Sequence, residues 1–291
     1  MTDHVPVIDS HQHFWNPGTR TYPWLSDPRI NRAFGPYDLK PLLDANGVTA
    51  SVLVQTVSDL DETREFLRIA ADHSFVAGVV GWADLTDPQL GATLEELRAT
   101  DTGSWLVGLR HQVEDEEDDA WLGRDDVQRG LTTIAESGLV YDFLLRPRHL
   151  PVALNVARDF PHLRFVIDHM AKPDIAHEAF DDWNAAIHEF AGLENVACKL
   201  SGILTEAGDD WTVDDIRPYV RSVVEVFGPH RLMFGSDWPV SLMAAEYATT
   251  MRTLRESLDG LGLTDDDIDA IFGRTAIHWY GLESKIPTSN L

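Results

Sequence analysis

Eight short apolar runs, most of them followed by a stretch with helical periodicity, set the frame for this chain. They are 5–14, 48–57, 75–85, 105–113, 139–146, 164–170, 196–202 and 232–239. Continuous apolar strands alternating with amphipathic helices predict a parallel sheet covered by helices. Eight such units close naturally into a (β/α)8 TIM barrel. The length of 291 residues suits one such barrel, so the expectation is a single α/β domain over 1–291.

The helix signals agree with this frame. Residues 60–69 and 213–227 carry helical periodicity. Thr264, followed by Asp265, Asp266 and Asp267, predicts an N-cap with carboxylates in the positive first turn, opening a last helix through about Tyr280. Gly47, Gly138 and Gly228 fall where helices should stop. The first connection, 15–37, is long and rich in Trp, Tyr and Pro, and a long loop on a barrel is usually functional.

A net charge of −25 repels phosphate backbones and anionic membranes, so no nucleic-acid or membrane partner is expected. No run of 18 apolar residues is present, and the first residues show neither a basic nor an apolar leader segment. A cytoplasmic location is the expectation. The one cysteine, Cys198, reads as a core residue, and the acidic run Glu114–Asp119 as a solvated loop. Oligomeric state is left open, a homo-oligomer included.

In a barrel, substrates bind at the carboxyl ends of the strands, so the polar residues there are the ones to weigh. His11 and His13 end the first run. Gln55, Trp82, Arg110, His111, Asp142, His169, Lys199 and Asp237 end later ones. Two histidines one residue apart on a strand face the same way, about 7 Å apart at Cβ. One metal ion or one substrate group can bridge them. Alone, the pair reads equally well as surface histidines, His169 as a rim residue and Asp237 as an N-cap. Together, His11, His13, His169 and Asp237 supply three imidazoles and a carboxylate, either a zinc set or an acid–base set. No serine-esterase elbow, P-loop or dinucleotide fingerprint appears in the sequence.

Several ordered motifs carry a family resemblance. The segment 8–15, Ile-Asp-Ser-His-Gln-His-Phe-Trp, resembles the opening of the amidohydrolase superfamily, amidohydrolase-2 type. Residues 108–112, 166–173, 199–202 and 231–240 resemble its sugar-lactonase branch, which includes enzymes like L-fuconolactonase and L-rhamnonolactonase. The resemblance implies a (β/α)8 barrel that hydrolyses a small-molecule sugar lactone to a hydroxy acid. It implies metal ligands at His11, His13, His169 and Asp237. The ends of strands four and five, Arg110-His111 and Asp142, depart from the two-metal pattern. At most one divalent metal is therefore expected, zinc by preference, with metal-free activity as the alternative.

Asp237, His169, Arg110 and His111 are the catalytic candidates, with Asp237 as general base toward water. Trp15, Gln55, Trp82, Asp142 and Lys199 are the substrate-binding candidates, and Trp24 and Trp238 add aromatic faces at the mouth. Two rival functions share the same residues. One is a metal-dependent decarboxylase, against which the motifs at strands four, six and seven weigh. The other is a non-catalytic carbohydrate-binding barrel, against which the number of water-activating groups weighs.

Overall fold

The eight apolar runs form eight parallel strands in one sheet, ordered β1 to β8, in the computed structural model of the chain, which describes residues 5–286. The strands are β1 (Ile8–Gln12), β2 (Ala50–Val54), β3 (Val76–Gly81), β4 (Leu106–His111), β5 (Val140–Phe143), β6 (Phe165–Ile167), β7 (Val196–Leu200) and β8 (Leu232–Phe234). Beyond β8 the chain returns to β1. Gln12 bridges Trp238 in parallel, and the Asp237 amide donates to the His11 carbonyl at 2.8 Å, which closes the barrel. Each strand is shorter than its apolar run. Most of the surplus lies at the carboxyl ends, where loops carry the polar side chains.

Helices α1 (Pro36–Ala45), α2 (Leu60–Asp72), α3 (Leu90–Arg98), α4 (Asp125–Ser137), α5 (Leu150–Asp159), α6 (Asp181–His188), α7 (Val213–Phe227) and α8 (Tyr247–Leu258) wrap the sheet. The expected stops hold for α4, which ends at Gly138 in a left-handed conformation, and for α7, which ends at Gly228. Thr264 caps the Asp267 amide as expected. The helix it opens runs as α9 (Asp265–Asp269), a π-turn over 270–274 and α10 (Thr275–Tyr280).

Two apolar layers result. The larger one lies between sheet and helices and includes the buried Cys198. The smaller one fills the barrel with Ile8, Ala50, Val52, Val54, Val140, Val166, Ala197 and Met233, and is plugged at the amino end by Trp279, Tyr280 and Leu282. This plug leaves only the carboxyl end of the barrel open to polar chemistry. Among the described residues no helix is long and apolar enough to cross a membrane.

Candidate active site

Alternation along each strand decides which side chain enters the barrel. On β7, Ala197 is inside, so Lys199 and Ser201 follow it inward. On β5, Val140 brings Asp142 in. On β4, Arg110 turns inward and His111 outward. On β1 the register slips between Asp9 and Gln12, and this irregularity lets both Ile8 and His11 face the interior. His13 then shares that face. Past β8, a Cβ on Gly235 would stand 2.6 Å from the His11 Cβ, so only glycine lets these two segments approach.

His169 reaches the site by a different route. Val166 is inside, so parity places Asp168 inside and His169 outside. Instead His169, Met170, Ala171 and Lys172 all take left-handed backbone angles, with φ of 53°, 53°, 59° and 50°. For residues with a Cβ this costs roughly 1–2 kcal/mol each. The turn is held by the Trp183 indole donating to the Met170 carbonyl at 2.8 Å and by a hydrogen bond of 2.8 Å between His169 Nδ1 and Ser201 Oγ. Gly202 lies beneath, where a Cβ would meet His169 Nδ1 at 2.5 Å. The result is that Asp168 and His169, adjacent in sequence, both face inward.

Four side chains converge. Asp237 Oδ1 lies 3.3 Å from His13 Nε2 and 3.8 Å from both His11 Nε2 and His169 Nε2. His11 Nε2 is 3.1 Å from His13 Nε2. His13 Nδ1 is 2.8 Å from the Val54 carbonyl, to which it can only donate, so its Nε2 presents a lone pair to the site. Asp237 is itself left-handed (φ 55°), and the short turn after Pro239 has no side-chain cap. Its carboxylate is turned to the histidines and does not serve as an N-cap.

Burial keeps the three imidazoles neutral. It lowers His11 well below the usual range, lowers His13, and brings His169 down to about 4. Burial opposes ionisation of Asp237, but contact with His169 and His13 and the charge of Lys172 outweigh it and hold the carboxyl below its ordinary value. The site therefore presents a charged carboxylate among neutral imidazoles, the state a general base requires.

Beneath His11 runs a buried ionic layer. Asp168 lies 3.2 Å from His11 Nδ1, 3.0 Å from Lys199 Nζ and 2.9 Å from Arg110 Nη1. Lys199 donates to Asp142 at 2.6 Å, and the Tyr280 hydroxyl reaches up from the plug to the same carboxylate at 2.8 Å. Burial opposes the charge on Asp168, yet Lys199, His11 and Arg110 hold it well below the carboxylate range. Asp168 was not among the sequence candidates. Its parity with Val166 was the signal that could have found it.

Above these groups opens a cavity of about 270 Å³, at the small end of ligand pockets. His13, Arg110, His169 and Asp237 form its floor, and Trp24, Thr56, Gln112, Glu114, Leu144, Arg146, Lys172, Val240 and Met243 its walls. The substrate-binding candidates lie elsewhere. Lys199 and Asp142 are fully buried under His11. Gln55 accepts from Arg110 at 2.9 Å. Trp15 and Trp238 pack in an aromatic cluster with Phe34, and the Trp15 indole donates to the Ile30 carbonyl. Trp82 donates to His111 Nδ1 at 3.2 Å. His111 stacks on Trp121 at 4.1 Å and pairs with Glu116 at 2.7 Å, outside the barrel wall. Of the four tryptophans only Trp24, from the long first loop, lines the cavity. The run Glu114–Asp119 is not wholly solvated either: Glu114 is 12% exposed and reaches the cavity.

Residues 8–282 match the family described as Amidohydrolase. The chain belongs to this family. A Burkholderia ambifaria protein described as L-fucono-1,5-lactonase is 40% identical over 281 residues, 95% of this chain and 96% of that protein. A Burkholderia multivorans protein with the same description is 40% identical over 94% of this chain and 96% of its own length. An amidohydrolase crystal structure from Burkholderia multivorans, with bound zinc, superposes with a TM-score of 0.89 at 36% identity, covering 97% of this chain and 100% of that one.

The donor set of this amidohydrolase fits one divalent ion. One ligand atom each from His11, His169 and Asp237 lies within 4.8 Å of the others, and all three residues are buried. Neutral imidazole and carboxylate donors match the preferences of zinc. His13 Nε2 stands beside the three. Where a second metal would need a bridging group, this site has Arg110, whose guanidinium donates to Gln55 and Asp168. A guanidinium in that place disfavours a second cation.

Proposed function

We propose that this hydrolase opens a lactone of a sugar acid, a six-carbon deoxy-aldono-1,5-lactone being the best fit, and that the whole chain serves as one barrel domain. The observation that carries the substrate class is the 40% identity, over nearly the full chain, to a protein described as L-fucono-1,5-lactonase. A small cavity floored by a carboxylate and neutral imidazoles, with an indole and charged groups on its walls, supports it. Such a cavity suits a ring with one apolar face and several hydroxyls.

The chemistry follows from the floor. Asp237 takes a proton from water as the oxygen adds to the lactone carbonyl. Negative charge then grows on the carbonyl oxygen, close to the Arg110 guanidinium. Its guanidinium is held by Gln55 and Asp168, so Arg110 acts through its fixed charge. The protonated Asp237 returns its proton to the ring oxygen as the C–O bond breaks, which yields the hydroxy acid and restores the carboxylate. His11, His169 and Asp237 would hold a divalent ion, with His13 alongside. Such an ion supplies polarisation of the carbonyl and a lower pKa for bound water. Asp168 and Ser201 fix the rings of His11 and His169, as outer partners of ligating histidines do.

Acid release from a panel of aldonolactones, run beside carbon dioxide release from a carboxylated aromatic, tests this function. Acid release from an aldonolactone in preference to aryl esters supports it. Turnover of the aromatic acid alone would replace it with decarboxylation.

A further inference from the structure

The left-handed turn that delivers His169 also delivers Lys172 into the same cavity. Lys172 Nζ donates to both Glu114 oxygens, at 2.7 and 2.6 Å. Arg146 Nε lies 3.3 Å from Glu114, and its Nη1 donates to Glu206 at 3.2 Å. Two cations and two carboxylates thus form one chain along the wall beside Asp237, and Lys172, Glu114 and Arg146 line the cavity. None of the four touches the reacting atoms, although the charge of Lys172 helps to hold Asp237 ionised.

We infer that the Lys172–Glu114–Arg146 cluster is the specificity element of this site: it binds a pair of neighbouring ring hydroxyls and selects neutral, hydroxylated lactones over bare or carboxylated ones. The inference rests on the lactonase function proposed above. An ion pair meets a diol on both terms, since the carboxylate accepts from one hydroxyl while the ammonium or guanidinium donates to the oxygen of the next. With Glu206, which pairs with Arg146, the charges of the cluster cancel, and exposed Asp115 adds a negative charge at the rim, so no net attraction for an anionic substituent remains. Lys172 sits three residues after His169 on one held turn. The grip on the hydroxyls is therefore in fixed register with the carbonyl over Asp237. Trp24, Val240 and Met243 leave an apolar wall for the ring's other face.

The test compares kcat/KM for L-fucono-1,5-lactone with that for δ-valerolactone, the same ring without hydroxyls, in wild type, Glu114→Gln and Lys172→Met. The wild type should favour the hydroxylated ring by on the order of a hundredfold or more. Each variant should shrink that ratio about tenfold or more, mainly by raising KM for the hydroxylated lactone. Glu114→Gln keeps the side-chain shape and decides the matter alone if Lys172→Met does not fold. A ratio unchanged in the folded variants makes the cluster a structural tie and overturns the inference. So does a wild type that treats both rings alike, in which case the lactonase function stands. A wild type inert on every lactone removes that function, and the inference with it.

Discussion

Arg110 Nη1 and Asp168 Oδ2 lie 2.9 Å apart, with both side chains almost wholly buried at the base of the cavity. Asp168 meets Lys199 and His11 as well, so one carboxylate ties together β4, β6, β7 and β1 under the site. Removing one member of a buried pair leaves the other charged and without its partner, which commonly costs about 3–5 kcal/mol. Arg110→Met should therefore lower stability by that order as well as activity, and Arg110→Lys should recover little of either, because a single ammonium cannot serve Gln55, Asp168 and His11 together. Urea unfolding of both variants checks this. A folded Arg110→Met protein as stable as wild type would contradict the role given to the layer.

Metal and histidine changes should move together. Chelation of the purified protein, followed by elemental analysis and assay, should show loss of one equivalent of zinc in step with loss of activity. His11→Ala and His169→Ala should each abolish metal retention, because three protein ligands hold a catalytic zinc. Full activity in metal-free protein would leave the imidazoles and Arg110 as the only groups polarising the carbonyl.

His169 also carries a pH signature. Its pKa is lowered by burial from 6.5 to about 4 in the folded, metal-free chain. Between these values the unfolded chain binds more protons, so stability rises with pH. The contribution is fully present above 6.5 and is lost as pH falls toward 4, amounting to about 3 kcal/mol at most. Urea midpoints taken in chelator from pH 7 to 4.5 should fall less steeply for His169→Asn than for wild type. Equal slopes would mean that His169 is not held neutral by burial.

The turn at 169–172 offers a separate check. Gly202 has φ of 59°, and a Cβ there would meet the His169 ring at 2.5 Å. Gly202→Ala should displace His169 and cut kcat by about tenfold to a hundredfold, the scale of losing a ligand's outer support. An unchanged kcat would mean that the ring can shift without consequence.

The barrel was legible because apolar runs alternate with helical segments such as α2 and α7, and because Gly138 and Gly228 mark helix ends. His11, His13 and Asp237 were legible because they sit where strands end. Asp168 and Lys172 were not. Their neighbourhood turns left-handed without a glycine or asparagine to announce it, so His169 drew the attention that parity should have given to Asp168. Glu114 looked like part of an acidic surface run, and only its pairing with Lys172, 58 positions along the chain, brings it inside. Position after strands points Trp15 and Trp82 toward the mouth, but their indoles satisfy backbone and histidine partners elsewhere.

The role proposed for Asp237 is that of the base in a sugar lactonase. Its most direct test is acid release from L-fucono-1,5-lactone by wild type and by Asp237→Asn, each shown to be folded and assayed with its metal content known. An amide fills the same space but cannot take a proton from water, so kcat should fall by about two to four decades in the variant. Turnover within a few-fold of wild type by folded Asp237→Asn would contradict the account.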